Sequence, residues 1–338
     1  MGASFPAPRF LFATGSHRGG TSLLYALLNQ HPRVRLMYEA QALGQRFLPA
    51  SGRAWRRRLE FWNRALSRHG LDKALDASSD GAGPDDAGAL YRLHGAGRSL
   101  AYVGEKEPGY QTRLPRLFRQ FPEARVVVIW RDAAHVVRSV RHAGRNCRFF
   151  SRPGWTGRTV FARERLLRDA RRLDPEGKRV HFLSYEQLLA DVEGSLRALC
   201  AFLELPYDPR MASLEQADLS AVDVAPHHRH LRAGHIGRHL FHATPLKPGV
   251  EETLRRFEAR WEALRDGVPA PALSPRMLWY RETGRLAHAG DRLRHLVFRH
   301  APLFLLQAYR RWKHRHPDRQ ASLDPKAVET ERPALTLD

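Results

Sequence analysis

The sequence predicts an α/β fold of three layers, in which helices cover both faces of a central parallel sheet and a C-terminal helical extension follows. Short apolar segments alternate with segments of helical periodicity along the chain, and this alternation favours a parallel sheet with right-handed connections. The run Val126–Trp130 is apolar throughout, as in a strand buried on both faces. At 338 residues the chain can enclose a sizeable core.

The first unit is a strand, a glycine-rich turn and a helix. Phe10–Thr14 is short and mostly apolar, and the helix that opens at Thr21 stops at Pro32. The first N–H groups of a helix lack intrahelical partners and lie at the positive end of its dipole, so a turn of this kind can wrap an anion. We therefore predict a phosphate cradle. Its predicted members are Ser16, His17, Arg18, Gly19, Gly20, Thr21 and Ser22.

The spacing of this loop approaches that of nucleotide triphosphatases but departs from it at one position. Gly15, Gly20 and Ser22 fit the frame G-x-x-x-x-G-K-[ST]. The lysine position is Thr21, and the cation has moved into the loop as Arg18. Because the lysine reaches the outer phosphates, its absence counts against ATP or GTP hydrolysis.

The segment between this unit and the next strand is expected to vary most. Residues 40–75 have a helical, basic pattern, and residues 76–99 are rich in Gly, Asp and Ser, which indicates a loop broken by one short helix. A short strand at 101–103 then leads to Lys106, and a helix is predicted over about 111–121.

A second polar motif follows the apolar strand Val126–Trp130. Arg131 comes directly after this strand, at the edge where open α/β sheets bind ligands. Asp132 suits the N-cap of the next helix, and Ser139 lies about two turns along that helix. An arginine and a hydroxyl placed in this way predict a second phosphate site.

The remaining elements continue the alternation and end in a basic tail. A charged helix is predicted over 158–174, a strand over 179–183 and a helix over 186–204. Residues 251–265 carry an apolar helical face, and residues 274–316 are helical, aromatic and basic. Such a tail can lie on an anionic membrane surface or pack on the protein body, and the sequence leaves both open.

The composition limits which binding partners and which cellular compartment are expected. The formal net charge of +21 favours anionic partners, but the basic residues are scattered and form no nucleic-acid motif, so nucleic acid is not expected. Only two cysteines occur, Cys147 and Cys200, which suits a reducing compartment such as the cytoplasm. No run of about 18 apolar residues and no signal-peptide pattern is present.

Together the two motifs resemble those of the sulfotransferases that use 3′-phosphoadenosine 5′-phosphosulfate (PAPS). The glycine-rich loop is similar to the family's 5′-phosphosulfate loop, and Arg131 with Ser139 to its 3′-phosphate motif. Three further segments agree with the family: Gly104–Pro108 (GEKEP), Tyr185–Leu188 (YEQL) and Phe202–Pro209 (FLELPYDP).

The resemblance covers about residues 9–265 and implies a P-loop-like sulfotransferase domain over 1–265. Residues 40–100 would be its variable insertion, 266–320 a basic helical tail and 321–338 a disordered end.

The resemblance implies transfer of a sulfuryl group from PAPS to a hydroxyl or amine of a carbohydrate, glycolipid or small-molecule acceptor, without a metal. Lys106 matches a lysine at the reacting centre, and with Arg18 it would neutralise the leaving phosphate. Glu39 lies where relatives place a catalytic glutamate, and Glu107, which replaces a Ser or Thr of the family motif, is the alternative base. Tyr185 matches a tyrosine near the adenine.

Several points stay open from sequence. His17 is expected to be an exposed loop residue. The run 227–242 holds six His and three Arg, for which we predict no metal site, although Arg232 or Arg238 could close over the 3′-phosphate.

The alternative functions are a nucleotide kinase-like enzyme and a non-catalytic protein that binds anions or membranes on the same fold.

Overall fold

The computed structural model describes residues 7–45, 53–71, 87–147, 149–222, 228–234, 236 and 244–300. Five parallel strands form one sheet in the order β2-β3-β1-β4-β5, which confirms the predicted α/β class. The strands are β1 Arg9–Gly15, β2 Val34–Tyr38, β3 Tyr102–Lys106, β4 Arg125–Trp130 and β5 Val180–Ser184. Because β3 and β4 flank β1, the ends of these three strands meet at one edge of the sheet.

The helices have the following bounds. They are α1 Thr21–Asn29, α2 Arg53–Arg68, α3 Ala87–Gly95, α4 Leu114–Gln120, α5 Ala133–Ala143, α6 Trp155–Leu173, α7 Tyr185–Ala190, α8 Val192–Phe202, α9 Arg229–Arg232, α10 Pro248–Arg265 and α11 Pro275–His300. None of the helices in the described part of the chain is long and apolar enough to cross a bilayer.

Two cores lie on opposite faces of the sheet, as its alternating side chains require. On β4, Val126 and Val128 pack with α2, α3, α4 and α6, whereas Val127 and Ile129 pack with α1 and α8. A third cluster joins α5, α6, α10 and the start of α11 around Trp261. These layers confirm the predicted arrangement of helices on both faces.

Two predicted helices are interrupted in the structure. The segment 186–204 divides into α7 and α8 at Asp191, whose side chain caps α8 by accepting a hydrogen bond from the N–H of Gly194 at 2.8 Å. The segment 111–121 begins as a 3-10 turn over Pro108–Thr112 before α4 starts. Local capping and the proline at the start of the turn account for both breaks.

The described part of the basic tail packs on the protein body. Helix α11 crosses α6 where Gly157 and Gly284 meet backbone to backbone, and a Cβ on Gly284 would collide with the carbonyl oxygen of Gly157. Residues 301–338, which include the predicted disordered end, lie outside the described residues.

We expect Gly284→Ala to lower the free energy of unfolding by about 1–3 kcal/mol, because the methyl group would force the two helices apart. Gly290→Ala is the matched control, since a Cβ at that position of α11 meets no atom within 4 Å. There the same substitution should raise stability by about 0.5–1 kcal/mol through helix propensity. Urea denaturation of both variants measures the difference, and equal effects would contradict the close crossing of the helices.

Candidate active site

The glycine-rich loop places the start of α1 at the end of β1. Gly20 adopts a left-handed conformation, with φ 98°, and in the described structure no side chain caps the helix behind it. The N–H of Gly19 donates to the Ser16 carbonyl at 2.8 Å and is therefore engaged within the loop. The open N–H groups are those of the first turn of α1, from Thr21 onward, which can receive an anion.

Arg18 of this loop meets Arg131, which directly follows β4. Arg18, which has φ 65°, donates from Nε to Ser139 Oγ at 3.3 Å. Arg131 donates to the Arg18 carbonyl at 3.5 Å, and its own Nε is buried without a hydrogen-bond partner. Within the described residues, no carboxylate lies at ion-pair distance from either guanidinium. We call Arg18, Arg131 and Ser139 the arginine cluster.

The electrostatics of the arginine cluster favour an anion. Burial, followed by the charge of Arg131, lowers the pKa of Arg18 from 12.5 to about 10. Arginine side chains are charged at neutral pH, so the cluster holds two positive charges next to each other, and no described carboxylate lies at ion-pair distance from them. A bound phosphate would relieve this repulsion by accepting charge-assisted hydrogen bonds.

Tyr185 closes the loop on its other side. The Arg131 guanidinium lies 4.6 Å from the centre of the Tyr185 ring, and a Cβ on Gly20 would come within 2.8 Å of the ring carbon Cε2. The structure therefore brings Tyr185 next to the predicted phosphate loop. Only glycine at position 20 allows this approach, because a side chain there would displace the ring.

Glu39 and Lys106 form a second group, which was predicted as two separate site residues. Lys106 ends β3 and Glu39 directly follows β2, and the pairing of these strands places Lys106 Nζ 2.6 Å from Glu39 Oε1. The lysine side chain is fully buried, whereas that of Glu39 is 32% exposed. Lys106 therefore pairs with Glu39 and not with Glu105 or Glu107, its neighbours in sequence.

Tyr38 and Ser22 complete the surroundings of the lysine. Lys106 Nζ lies 3.5 Å from the centre of the Tyr38 ring and 3.4 Å from Ser22 Oγ, which is in the first turn of α1. The Tyr38 hydroxyl and Ser22 Oγ are 2.9 Å apart. The ammonium thus lies between the carboxylate of Glu39 and the open end of α1. We call Glu39, Lys106, Tyr38 and Ser22 the lysine cluster.

Glu39 and Lys106 each stabilise the charged form of the other. Burial opposes ionisation of Glu39, but the charge and hydrogen bond of Lys106 outweigh it, and the pKa of Glu39 lies below 4.5. Burial likewise opposes protonation of Lys106, but Glu39 and Tyr38 outweigh it, and the pKa of Lys106 lies above 10.5. At neutral pH the pair is an ammonium and a carboxylate.

The two glutamates beside Lys106 have different surroundings. Glu105 is fully buried and accepts hydrogen bonds from Tyr91, from Tyr110 and from the N–H of Ala42, which makes it a structural residue. Among the described residues, Glu107 accepts a hydrogen bond only from the N–H of Gly109, at 2.8 Å, and its buried Oε2 has no partner. Burial and the charges of Glu39 and Glu105 raise the pKa of Glu107 to about 8.

His17 is not the exposed loop residue that the sequence indicated. Its ring packs edge-on against Phe149, Phe150 and Trp155, with ring centres 5.2–6.2 Å apart. Burial lowers the pKa of His17 to about 4, with further contributions from Lys106 and Arg18, so the imidazole is neutral. The expectation was wrong because these aromatic residues lie more than a hundred positions away and no local pattern links them to the loop.

Two residues at this site were not predicted from sequence: Tyr38, which belongs to the lysine cluster, and His228, which lies next to it. Tyr38 has no motif of its own, and its only signal was its position at the end of the strand before Glu39. His228 belongs to the histidine-rich run, and its Nε2 lies 3.3 Å from Ser22 Oγ. Of the two arginines predicted from that run, Arg232 donates to the Val222 carbonyl and Arg238 lies outside the described residues. No group of three potential metal-ligating side chains occurs in the described ranges.

Comparison with known proteins gives a family match and similar folds. The profile described as "Sulfotransferase family" matches residues 8–209. The sulfotransferase domain of the curacin biosynthetic pathway superposes with a TM-score of 0.54 at 18% identity, covering 78% of this chain and 99% of that domain. The sulfotransferase domain of the Synechococcus PCC 7002 olefin synthase superposes with a TM-score of 0.50 at 20% identity, covering 84% and 96%. No curated protein sequence matches significantly.

Proposed function

We propose that this chain, which belongs to the sulfotransferase family, transfers the sulfuryl group of PAPS to a hydroxyl or amine of a carbohydrate, glycolipid or small-molecule acceptor. The observation that carries the proposal is the arginine cluster, in which the half-buried Arg18 lies against the buried Arg131 and no described carboxylate is at ion-pair distance from either. Such a cluster beside the open end of a helix fits a ligand with two separate anionic groups.

The two clusters are spaced to hold the two ends of one donor. Lys106 ends β3 on one side of β1, and Arg131 follows β4 on the other side, four residues beyond the position level with Lys106, so their backbones are roughly 16 Å apart. Arg131 and Ser139 would bind the 3′-phosphate, and Tyr185 would contact the adenine. Arg18, which the sequence resemblance assigned to the leaving phosphate, donates from Nε to Ser139 Oγ and would instead join them at the 3′-phosphate. The N–H groups at the start of α1 and the Lys106 ammonium would bind the 5′-phosphosulfate.

In the proposed step an acceptor oxygen attacks sulfur in line with the bond to the leaving phosphate. A new S–O bond forms as the bond to the phosphate breaks, and 3′-phosphoadenosine 5′-phosphate (PAP) leaves with the electron pair. Glu39 accepts the acceptor's proton, while Lys106 and the N–H groups of α1 neutralise the charge on the leaving oxygen. The fixed positions of these groups supply the orientation that the transfer needs.

Glu39 is a weak base in the free protein because Lys106 lowers its pKa. Binding of the donor should make Glu39 a stronger base, since the phosphosulfate adds negative charge and attracts the Lys106 ammonium. Both effects raise the pKa of Glu39 toward the value that a general base needs. The donor would thereby activate the base that serves it.

The pH dependence of kcat/KM for PAPS should separate the two candidate bases, because this ratio reports ionisation in the enzyme before the donor binds. With Glu39 as the base, we expect kcat/KM to stay nearly constant from about pH 6 to pH 8, since its pKa lies below 4.5. With Glu107 as the base, kcat/KM would instead rise toward pH 8, where this carboxyl ionises. The profile is measured with an acceptor found by screening against PAPS. Glu107→Gln is the control and should leave the profile flat.

Calorimetry of PAP binding without magnesium tests the donor assignment. We expect PAP to bind and ADP, which lacks the 3′-phosphate, to bind at least about tenfold more weakly, a difference of about 1.4 kcal/mol. Equal binding of ADP, or binding only with magnesium, would instead favour the kinase-like alternative. Binding of PAP without transfer to any screened acceptor, unaffected by replacement of Glu39 or Lys106, would favour the non-catalytic alternative.

We also propose a cytoplasmic protein that contacts an anionic membrane surface peripherally. The support is an apolar outward face on α11, where Trp279, Leu286 and Leu293 are 61–65% exposed and recur every seven residues. Arg285 and Arg292 lie next to this face. Leu286→Glu should reduce co-sedimentation with phosphatidylserine vesicles, and equal binding of the wild type and the variant would contradict the contact.

A further inference from the structure

A groove between α6 and α10 lies outside both clusters of the candidate active site. Its floor is apolar and is formed by Leu167 on α6 and by Phe257, Trp261 and Leu264 on α10. It encloses about 520 Å³, a volume within the range of small-molecule sites. None of the groups invoked for sulfuryl transfer lines it.

The rim of this groove is strongly basic. Arg168, Arg171 and Arg172 line it from α6 and are exposed, and Arg260 lines it from α10. Within the described part of the chain, neither Arg168 nor Arg171 has a carboxylate at ion-pair distance. Among the described residues that line the groove, Glu164 is the only acidic one, and Arg172 lies 4.0 Å from Asp169. Arg168 and Arg171 therefore leave the rim with an excess of positive charge.

The floor offers almost nothing for a polar ligand to bind. The indole N–H of Trp261 already donates to the Arg163 carbonyl at 3.3 Å, and the other floor side chains are hydrocarbon. A nucleotide base or a sugar would lose its hydrogen bonds with water there and find no replacements. A hydrocarbon chain would gain about 0.8 kcal/mol for each methylene group removed from water.

We propose that this groove binds a single-chain anionic amphiphile, of which a medium-chain fatty acid is the simplest example. The hydrocarbon chain lies on Leu167, Trp261 and Leu264, and the carboxylate meets Arg168 and Arg171. The argument is charge complementarity above an apolar floor, and it does not depend on the sulfuryl transfer proposed above.

Fluorescence titration with dansyl-labelled undecanoic acid, kept below its micelle concentration, tests the site. We expect saturable binding at one site, and binding of the methyl ester at least about tenfold more weakly, since the ester lacks the charge that the arginines recognise. Absence of saturable binding to the wild-type chain would overturn the proposal. Equal binding of acid and ester would overturn it too.

Charge reversal at the rim provides the matched comparison. Arg168→Glu with Arg171→Glu should raise the dissociation constant of the acid at least about tenfold. Arg197→Glu with Arg256→Glu changes the net charge equally, at exposed positions that do not line the groove. This double variant should change the dissociation constant of the acid less than about twofold. Equal effects of the two double variants would show attraction by net charge only and would overturn the proposal.

A substitution in the floor completes the test. Leu264→Glu places a carboxylate at a half-buried position in the floor of the groove and should weaken binding of the acid at least about tenfold. Unchanged binding would contradict the assignment of the floor. The melting temperature and PAP binding of each variant check the fold. A wild-type chain that binds the dansyl acid but not PAP would contradict the proposed function and leave this inference intact.

Discussion

Replacement of Lys106 by methionine is expected to lower kcat about 10²- to 10³-fold, the usual cost of removing a donor aimed at developing charge. The ammonium lies between Glu39 and the start of α1, where the leaving phosphate would gather charge. Because this interaction strengthens as the bond breaks, its loss should appear in kcat more than in the affinity for PAP. Steady-state kinetics and PAP calorimetry on the same variant separate the two effects.

The stability of the same variant should contrast with that of Glu39→Gln. Methionine fills the lysine pocket without a buried charge, and the partly exposed Glu39 can turn to water, so Lys106→Met should change the free energy of unfolding by less than about 1.5 kcal/mol. Glu39→Gln leaves a fully buried ammonium without its carboxylate and should cost about 3 kcal/mol. Urea denaturation tests this asymmetry, and equal losses would mean that the lysine is not confined as the structure shows.

The pH dependence of stability checks the ion pair independently of activity. The pKa of Glu39 is lowered by folding, so its contribution is present above pH 4.5 and is lost as the pH falls through its folded value. The pKa of Lys106 is raised, so its contribution is complete below pH 10.5 and is lost as the pH rises through its folded value. The difference between the wild type and Lys106→Met should therefore be flat from about pH 6 to pH 9 and fall on either side.

Local patterns were sufficient to predict the elements that surround the site. The apolar run before Arg131, the glycine turn before Thr21 and the N-cap at Asp132 are each encoded within a few residues, and the structure contains all three. The capping signal of Asp191 was equally local and was overlooked, which is why α7 and α8 were predicted as one helix. These features depend on backbone chemistry that neighbouring residues determine.

The pairing of Glu39 with Lys106 could not be predicted from local sequence patterns. The two residues are 67 positions apart, and they meet only because β2 pairs with β3 rather than with β1. The same holds for His17, whose aromatic neighbours lie just before α6 and at its first residue. Strand order and loop packing are set by the whole core, so the sequence indicated which residues belong to the site but not which of them touch.

Arg131→Ala is expected to weaken PAP binding about 100-fold, equivalent to about 2.7 kcal/mol, while leaving ADP binding nearly unchanged. Arg131 is 6% exposed and has an unpartnered buried Nε, so its guanidinium is already desolvated and aimed for a ligand. Arg141→Ala is the matched control, because it removes the same charge from an exposed position on α5. Calorimetry with both nucleotides measures the effect, and equal losses for PAP and ADP would assign Arg131 to the 5′-phosphate instead.

Arg131→Ala, which weakens PAP binding, should stabilise the protein when no ligand is bound. Arg131 is the charged group that most strongly lowers the pKa of Arg18, so its removal relieves a repulsion that only a ligand would otherwise offset. We expect Arg131→Ala to raise the melting temperature of the ligand-free chain slightly and to abolish most of the further rise that saturating PAP produces in the wild type. Thermal denaturation with and without PAP tests both changes. A lower melting temperature without ligand would contradict the expected relief of repulsion and would show that the packing of Arg131 on Tyr185 and its hydrogen bond to the Arg18 carbonyl outweigh it.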